Sequence, residues 1–170
     1  SEYTLLTSLI KINDLINFAK QNNITALGLL DNNLNGVMEF FDSCVANDIK
    51  PIIGLNVRIN DSNYYLYAKN YQGYLELVKI NNKVVLEESV SLSDLRISDI
   101  YVVIPYEFKG NYEELKTIKN INDIYIAYAN LEEKKNLIFV TSNILFIKEI
   151  RCFKANDTVY LEYLKKIGNN

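Results

Sequence analysis

The sequence predicts an α/β domain in which short apolar strands alternate with amphipathic helices. Apolar runs of strand length, rich in β-branched residues, recur at residues 24–30, 51–57 and 100–104. Between them, apolar residues return at helical spacing, as they do at residues 37–44 and 72–80. Because helices separate consecutive strands, the sheet is predicted to be parallel or mostly parallel.

Local signals place the individual elements. A first helix over residues 11–22 leads directly into the strand at 24–30. The polar residues 60–63 form a turn between the strands at 51–57 and 64–68, which can therefore pair as a hairpin. The remaining predicted elements are a helix start at 91–95, a helix at 111–119, a strand at 124–129, a helical turn at 131–135, a strand at 137–141 and a last helix from Asp157.

Length and composition limit the classes of protein to consider. The 170 residues suffice for one hydrophobic core, so residues 1–170 are predicted to form a single domain. The net charge of −3 argues against a surface that grips nucleic acid by itself, because phosphate contacts need clustered Lys and Arg. No apolar run is long enough for a membrane span and no signal peptide opens the chain, which predicts a cytoplasmic location without a membrane partner.

The chain contains no histidine. Histidine is the commonest transition-metal ligand and the commonest general base near neutral pH, so its absence removes the usual zinc, catalytic-triad and histidine-dyad chemistries. Cys44 falls on the predicted apolar helix face that also carries Val37, Phe40 and Phe41. It is therefore expected to be a core residue rather than a reactive thiol.

Several blocks within residues 1–80 match one family pattern in the same order. They are the opening S-E-Y-T-L-L, L-x-D-x-N-x-x-G-x-x-E-F at residues 29–40, I-K-P-I-I-G-x-x-V at 49–57 and Y-A-K-N-x-x-G-Y-x-x-L-V-K at 67–79. Together these blocks resemble the PHP (polymerase and histidinol phosphatase) domain of bacterial DNA polymerase III alpha subunits. Independent blocks in one order are a more specific signal than any single motif.

The resemblance implies a fold and a site. The family fold is a distorted (β/α)7 barrel, and here we expect a shortened form whose first strand, with the first metal-ligand positions, precedes Ser1. The resemblance also implies that the chain is the N-terminal fragment of a larger polymerase chain. In an intact PHP domain, a cluster of metal ions at the carboxyl-terminal mouth of the barrel hydrolyses phosphoesters.

Carried over position by position, the resemblance implies that the metal ligands are lost. The family's histidine in T-D-H-G-N falls on Asn32, and its glutamate in I-G-x-E-V falls on Asn56. The aspartate and histidine of T-N-D-V-H-Y fall on Ile144 and Phe146. An Asn amide is a weak ligand, and Ile and Phe cannot coordinate at all. We predict vestigial metal-site positions at Asp31, Asn32, Asn56, Ile144 and Phe146, with no catalytic residue and no bound metal or cofactor in this domain.

Asp31 keeps its carboxylate but has two other interpretations. After a strand and before a helix, a lone Asp is more often a loop-capping carboxylate than a metal ligand. The polar loop at residues 32–36 offers backbone N–H groups to a phosphate, although it lacks the glycines and the lysine of a P-loop. The phosphate-binding interpretation is the weaker one.

Two packing predictions follow from the loss of the metal site. Leu55, Leu145 and Phe146 are expected to fill the former metal cavity, because cavities of unpaired polar groups are costly. A domain that packs against its neighbours in a polymerase is expected to expose an apolar patch near the chain end. The residues expected in that patch are Tyr160, Tyr163 and Leu164.

The function that these observations favour is a catalytically inactive, structural PHP domain of a replicative DNA polymerase III alpha subunit. The resemblance implies a parent DNA-directed DNA polymerase that extends primers with deoxynucleoside triphosphates and magnesium in a domain beyond Asn170. The partners would be the other domains of that polymerase, with DNA and nucleotides bound only through the parent chain. Two alternatives stay open: a metal-dependent phosphoesterase or 3′-5′ proofreading exonuclease with an altered site, and a non-enzymatic binding module on the same fold.

Overall fold

The computed structural model describes residues 10–107, 110, 112–138 and 141–147. Over these residues the protein is a mixed α/β structure. The described residues divide into two compact units, of which the first contains residues 10–53 and the second begins at Gly54. The single domain predicted over residues 1–170 stays a prediction. In the described part of the chain, no helix has the length and apolar character needed to cross a membrane.

The first unit contains two helices, each followed by a strand. Both connections pass through a residue in the left-handed conformation, Asn23 with φ 54° and Asp48 with φ 57°, which Asn and Asp tolerate better than most residues. Strand β1 is a neighbour of β2 in the sheet. The elements are α1 (Ile12–Gln21), β1 (Ala26–Asp31), α2 (Val37–Val45) and the beginning of β2 (Lys50–Ile59).

Helices α1 and α2 contact each other through their apolar faces. The predicted face of α2 is confirmed for Val37, Phe40 and Cys44, which are buried. Phe41 lies at the edge of that face and is 44% exposed. Burial raises the pKa of the Cys44 thiol to about 11, so the thiol stays protonated and the residue acts as a small core side chain.

The second unit contains the rest of the sheet and three helices among its described residues. Short 3-10 helices at Leu92–Leu95 and Ile121–Asp123 precede β4 and β5. The strand order is β2-β3-β4-β5-β6. The elements are β3 (Ser62–Ala68), α3 (Tyr71–Val85), β4 (Ile100–Ile104), α4 (Tyr112–Ile118), β5 (Ile124–Tyr128), α5 (Leu131–Leu137) and β6 (Ile144–Phe146).

Strand directions in the second unit are mixed, which corrects the prediction of a mostly parallel sheet. The predicted hairpin of β2 and β3 is confirmed, with Ile59 opposite Ser62. Only Asn60 and Asp61 join these strands, and Asn60 has the positive φ, 53°, that two-residue hairpin turns require. Strand β3 is also antiparallel to β4, whereas β4, β5 and β6 are parallel. The parallel part is where α4 and α5 connect the strands.

The last strand lies further along the chain than predicted. The apolar run at residues 137–141 does not begin a strand, because Leu137 is the buried last residue of α5. Strand β6 starts at Ile144 instead, after a turn in which the Thr141 hydroxyl accepts a hydrogen bond from the Asn143 amide at 3.1 Å. A short apolar run has no periodicity that separates the end of a helix from a strand.

The sheet of the second unit has two unlike faces, because side chains alternate along each strand. We call the first the buried face. It contains a row of four residues, one from each strand from β2 to β5, whose side chains are fully buried. We call the second the tyrosine face, and most of its residues are partly exposed. The buried row is Leu55, Leu66, Val102 and Ile124, and the tyrosine face contains Asn56, Tyr65, Tyr67, Tyr101, Val103 and Tyr125.

Candidate functional site

Asp31 is the last residue of β1, as the sequence predicts for a group at the end of a strand. Its side chain is only 6% exposed, whereas Asn32, the next residue, is exposed. The loop then turns through Asn33, whose side-chain oxygen accepts a hydrogen bond from the Asn35 amide at 3.1 Å. This Asx turn directs the chain into α2.

Asn56 belongs to the second unit and lies on the tyrosine face. It is opposite Tyr65 of β3, and Tyr65 is opposite Val103 of β4. Its neighbours in sequence, Leu55 and Val57, point to the buried face and are almost inaccessible to solvent. Asn56, the position predicted to match the family's glutamate, therefore lies on the less covered side of the sheet.

Ile144 and Phe146 are the first and last residues of β6. They are opposite Ile126 and Tyr128 of β5, and the rings of Phe146 and Tyr128 are 5.6 Å apart. The register continues the buried face, so these two side chains point to the side of the sheet opposite that of Asn56. In β6, the residue on the tyrosine face is Leu145.

The prediction that Leu55, Leu145 and Phe146 fill one cavity is wrong for these residues. Leu55 and Phe146 belong to the buried face, and Leu145 belongs to the tyrosine face. Phe146 is 55% exposed and Leu145 is 40% exposed. The prediction failed because it placed Leu145 and Phe146 from the family motif, without the strand register that fixes which way each side chain points.

A charged cluster that the sequence analysis missed lies at the beginnings of β4 and β5. The Lys69 ammonium pairs with the Asp123 carboxylate at 2.5 Å and lies 4.7 Å from the centroid of the Tyr101 ring. Asp123 immediately precedes β5, and Asp99 immediately precedes β4. Both Lys69 and Asp123 are largely covered, so their charges are used to join these segments rather than left open to a substrate.

Lys119 is the most deeply buried charged side chain of this cluster, with an exposure of 6%. Its Nζ atom donates a hydrogen bond to the backbone carbonyl of Ile97. Burial lowers the pKa of Lys119 to about 8; the negative charge of Asp123 opposes this effect to a smaller extent, and the positive charge of Lys69 adds to it. The side chain thus connects the segment after α4 with the segment before β4.

Asn70 and Gly73 begin helix α3 beside the same cluster. The Asn70 side-chain oxygen accepts a hydrogen bond from the Gly73 amide at 3.0 Å, which caps the helix. Its amide nitrogen donates to the Asp99 carboxylate at 2.8 Å, and this hydrogen bond is the main cause of a lowered pKa for Asp99. A Cβ atom at position 73 would overlap the carbonyl oxygen of Asp99, so only glycine fits without rearrangement. The K-N-x-x-G block is therefore a packing motif.

The family model described as "PHP domain" matches residues 1–116 of the chain. The chain belongs to the PHP domain family. The match covers more than half of the chain and confirms the resemblance carried by the sequence blocks of residues 1–80.

This PHP domain is similar to several proteins described as DNA polymerase III subunit alpha. It is 31% identical over 179 aligned residues to the protein of Mycoplasma genitalium, covering all of this chain and 18% of that protein. The identity to the protein of Ureaplasma parvum is 38% over 95 residues, which covers 55% of this chain and 10% of that protein. The identity to the protein of Staphylococcus aureus strain COL is 29% over 138 residues, which covers 76% of this chain and 13% of that protein. The chain spans less than a fifth of each of these relatives.

The five positions predicted as a former metal site are divided between the two units. Within the second unit, they lie on both faces of the sheet. Asn56 lies on the tyrosine face, and Ile144 and Phe146 continue the buried face, while Asp31 and Asn32 belong to the first unit. Across the described residues, no group of three or more His, Cys, Asp and Glu side chains could hold a metal ion. The assignment of these positions to one vestigial site stays a prediction.

Proposed function

We propose that this chain is a catalytically inactive, structural PHP domain of a replicative DNA polymerase III alpha subunit. The observation that carries the proposal is the chemistry of the positions matched to the family's metal ligands. Asn32, Asn56, Ile144 and Phe146 replace imidazole and carboxylate groups with side chains that bind metal weakly or not at all.

Charge placement also supports a structural role. In the second unit, the covered charges Lys69, Asp123 and Lys119 join the beginnings of strands and the ends of helices. Barrel enzymes instead place catalytic groups at the carboxyl ends of strands, while residues at the opposite end stabilise the fold. In this proposal the parent fold is the distorted (β/α)7 barrel of the family.

The proposed partners are the other domains of the polymerase subunit, because the similar proteins are alpha subunits of which this chain spans less than a fifth. Polymerisation, with its DNA, deoxynucleoside triphosphates and magnesium, would belong to those other domains, and a replicative role would place the chain in the cytoplasm. On α2, Met38, Phe41 and Val45 are exposed apolar residues that an adjoining domain could cover. The patch predicted at Tyr160, Tyr163 and Leu164 lies outside the described residues.

The test of catalytic inactivity is metal content together with hydrolysis. After incubation with Mn²⁺ or Zn²⁺ and gel filtration, the 170-residue chain is expected to retain less than one equivalent of metal, measured by elemental analysis. It is also expected to release no nucleotide from a 3′-labelled DNA primer.

A matched pair of variants controls this experiment. Asp31→Ala removes the carboxylate that remains at the end of β1, and Asp42→Ala removes an exposed carboxylate from α2. Metal-dependent hydrolysis that is lost in Asp31→Ala and kept in Asp42→Ala would contradict the proposal. That result would favour a phosphoesterase or proofreading exonuclease with an altered site.

A further inference from the structure

The last turn of α3 exposes three consecutive apolar residues. Val84, Val85 and Leu86 are 41%, 66% and 68% exposed, whereas Leu77 and Ile80, earlier in the same helix, are buried. Isolated apolar residues are common on protein surfaces, but a run of three is unfavourable in water unless it serves binding. The end of α3 is therefore a candidate interaction surface.

Two exposed carboxylates follow this apolar turn. Glu87 and Glu88 are both exposed, and neither forms an ion pair with any described residue. Lys83, the basic residue nearest to them in sequence, already pairs with Asp94 at 2.6 Å. The end of a helix also carries partial negative charge, to which the two carboxylates add. Apolar surface beside negative charge is complementary to a partner with apolar and positively charged groups.

The backbone at the end of α3 has a defined conformation. The amide of Glu87 donates a hydrogen bond to the Val84 carbonyl at 3.2 Å, and the amide of Glu88 donates one to the Lys83 carbonyl at 2.8 Å. Between these bonds the chain turns through Glu87, which has a left-handed φ of 57°. This is a Schellman motif, in which the left-handed residue is usually glycine. The motif holds the apolar turn and the carboxylates in one place.

Glutamate is unfavourable at position 87 for the fold alone. Its Cβ atom is strained in the left-handed conformation, and its charge lies at the negative end of the helix dipole. The other non-glycine residues with a left-handed φ in the described part of the chain are Asn23, Asp48 and Asn60. Asn and Asp tolerate this conformation better than Glu does. A residue that destabilises the fold in two ways is typical of a position that serves binding.

We propose that residues 84–88 form a docking surface for an amphipathic protein helix that carries Lys or Arg beside its apolar side chains. The apolar side chains would cover Val85 and Leu86, and the basic groups would pair with Glu87 and Glu88. A nucleic acid or an anionic membrane fits less well, because the two carboxylates would repel its phosphate groups. The surface contains none of the positions matched to the PHP metal ligands, so its test does not depend on whether the domain is catalytically inactive.

The experiment is an NMR titration of the ¹⁵N-labelled 170-residue chain with a synthetic peptide made of repeated Lys-Leu-Ala-Lys-Leu-Ala-Lys units. Saturable shifts are expected for the amides of Val85, Leu86, Glu87 and Glu88, with a Kd on the order of 1 mM or below. One control peptide has every Leu replaced by Ser, and another has every Lys replaced by Glu. Neither is expected to cause saturable shifts, because each lacks one of the two complementary features.

Matched variants separate this surface from general hydrophobicity and charge. Leu86→Ser is expected to weaken binding about tenfold, whereas Leu131→Ser, which changes a 74% exposed residue at the beginning of α5, should leave the Kd unchanged. Glu88→Gln is expected to weaken binding roughly two- to fivefold, with Glu132→Gln in α5 as its control. Equal weakening by a variant and its control, binding of the Ser-containing peptide, or no saturable shift would overturn the proposal.

Glu87→Gly separates the needs of the fold from those of binding. It should raise the urea midpoint of unfolding, because glycine is unstrained in the left-handed conformation, and it should weaken peptide binding. Glu88→Gly is the control and should not raise the midpoint, because Glu88 is not in that conformation. Unchanged binding by Glu87→Gly, or a midpoint that does not rise, would contradict the proposal. Dimerisation without peptide that is lost in Leu86→Ser would assign the surface to a second copy of this chain, also against the proposal.

Discussion

The two ends of the parallel strands in the second unit differ in chemistry. At the beginnings of β4 and β5, Lys69 pairs with Asp123, Asp99 accepts a hydrogen bond from Asn70, and Lys119 donates one to the Ile97 carbonyl. At the far end, β6 finishes in Phe146, an exposed ring that rests on Tyr128. In the second unit, the covered charged residues therefore lie at the amino ends of the strands. In barrel enzymes, that end stabilises the fold, and catalytic groups lie at the carboxyl ends. Four substitutions with decreasing expected effects would test that contrast.

The largest effect is expected at Gly73. In Gly73→Ala, the new Cβ atom overlaps the Asp99 carbonyl oxygen and comes within 3.3 Å of the Ala68 Cα atom, so the backbone of α3 must move. We expect a loss of about 3 kcal/mol in the free energy of unfolding, measured by urea denaturation. Gly28→Ala is the control, because a Cβ atom there has no neighbour within 4 Å. A small effect at both positions would show that α3 is not tightly packed against this end of the sheet.

The free energy of unfolding should depend on pH through the protonation of Lys119. Its pKa is about 8 in the folded protein, below the ordinary value of 10.5, so between these two pH values the unfolded chain binds more protons. Stability therefore rises with pH in that window. Compared with Lys119→Met, the unmodified chain should gain on the order of 2 kcal/mol between pH 8 and pH 10.

Urea denaturation of both proteins at several pH values would check this gain. Lys116→Met is the matched control, because Lys116 lies one turn earlier on α4 and pairs with the exposed Glu113. If the stability of the unmodified chain and that of Lys119→Met depend equally on pH, burial does not favour the neutral form of the Lys119 amine. Lys119 would then not contribute to the buried charges at the beginnings of the strands.

A smaller effect is expected when the Lys69–Asp123 pair is broken. Lys69→Met leaves Asp123 largely covered without its partner and removes the cation above the Tyr101 ring. We expect a loss of about 1 kcal/mol, read from the urea midpoint. Lys79→Met removes the more exposed member of a helical surface pair with Glu76, and should cost only about 0.3 kcal/mol. Equal effects of the two changes would mean that the pair at the strand beginnings is an ordinary surface contact.

The smallest effect is expected at the other end of the strands. Phe146→His restores the residue type of the family motif at a position that is 55% exposed, so stability should change by no more than about 0.5 kcal/mol. Thermal denaturation with and without Zn²⁺ would measure this, and the metal should not raise the melting temperature. A loss above about 1.5 kcal/mol would instead show that the ring is a buried part of the fold.

Much of the fold was predictable because its signals are local. The Asn60-Asp61 turn predicts the β2–β3 hairpin, and the apolar run at Ile100–Ile104 predicts β4 at the bounds observed. The antiparallel pairing of β3 with β4 was not predictable in this way, since it depends on how a long connection through α3 returns to the sheet. Strand β6 was misplaced because the run after Leu137 has no clear period.

In the candidate site, too, only the features with local sequence signals were predictable. The place of Asp31 at the end of a strand was predictable from the change between an apolar run and a polar loop. The Lys69–Asp123 pair was not, because its members are 54 positions apart in sequence and neither belongs to a chemical motif. The face occupied by Ile144 and Phe146 required the register of β6 against β5, which only the structure provides.

The tight packing at Gly73 fixes one residue of the K-N-x-x-G block whatever the chemistry of the domain. At that position the choice of amino acid is limited by the Asp99 carbonyl group, so it does not depend on whether a metal site exists. The side chains of Asn32 and Phe146, in contrast, are exposed. Part of the sequence resemblance in this family is therefore set by how closely two backbone segments approach each other, independently of any metal site.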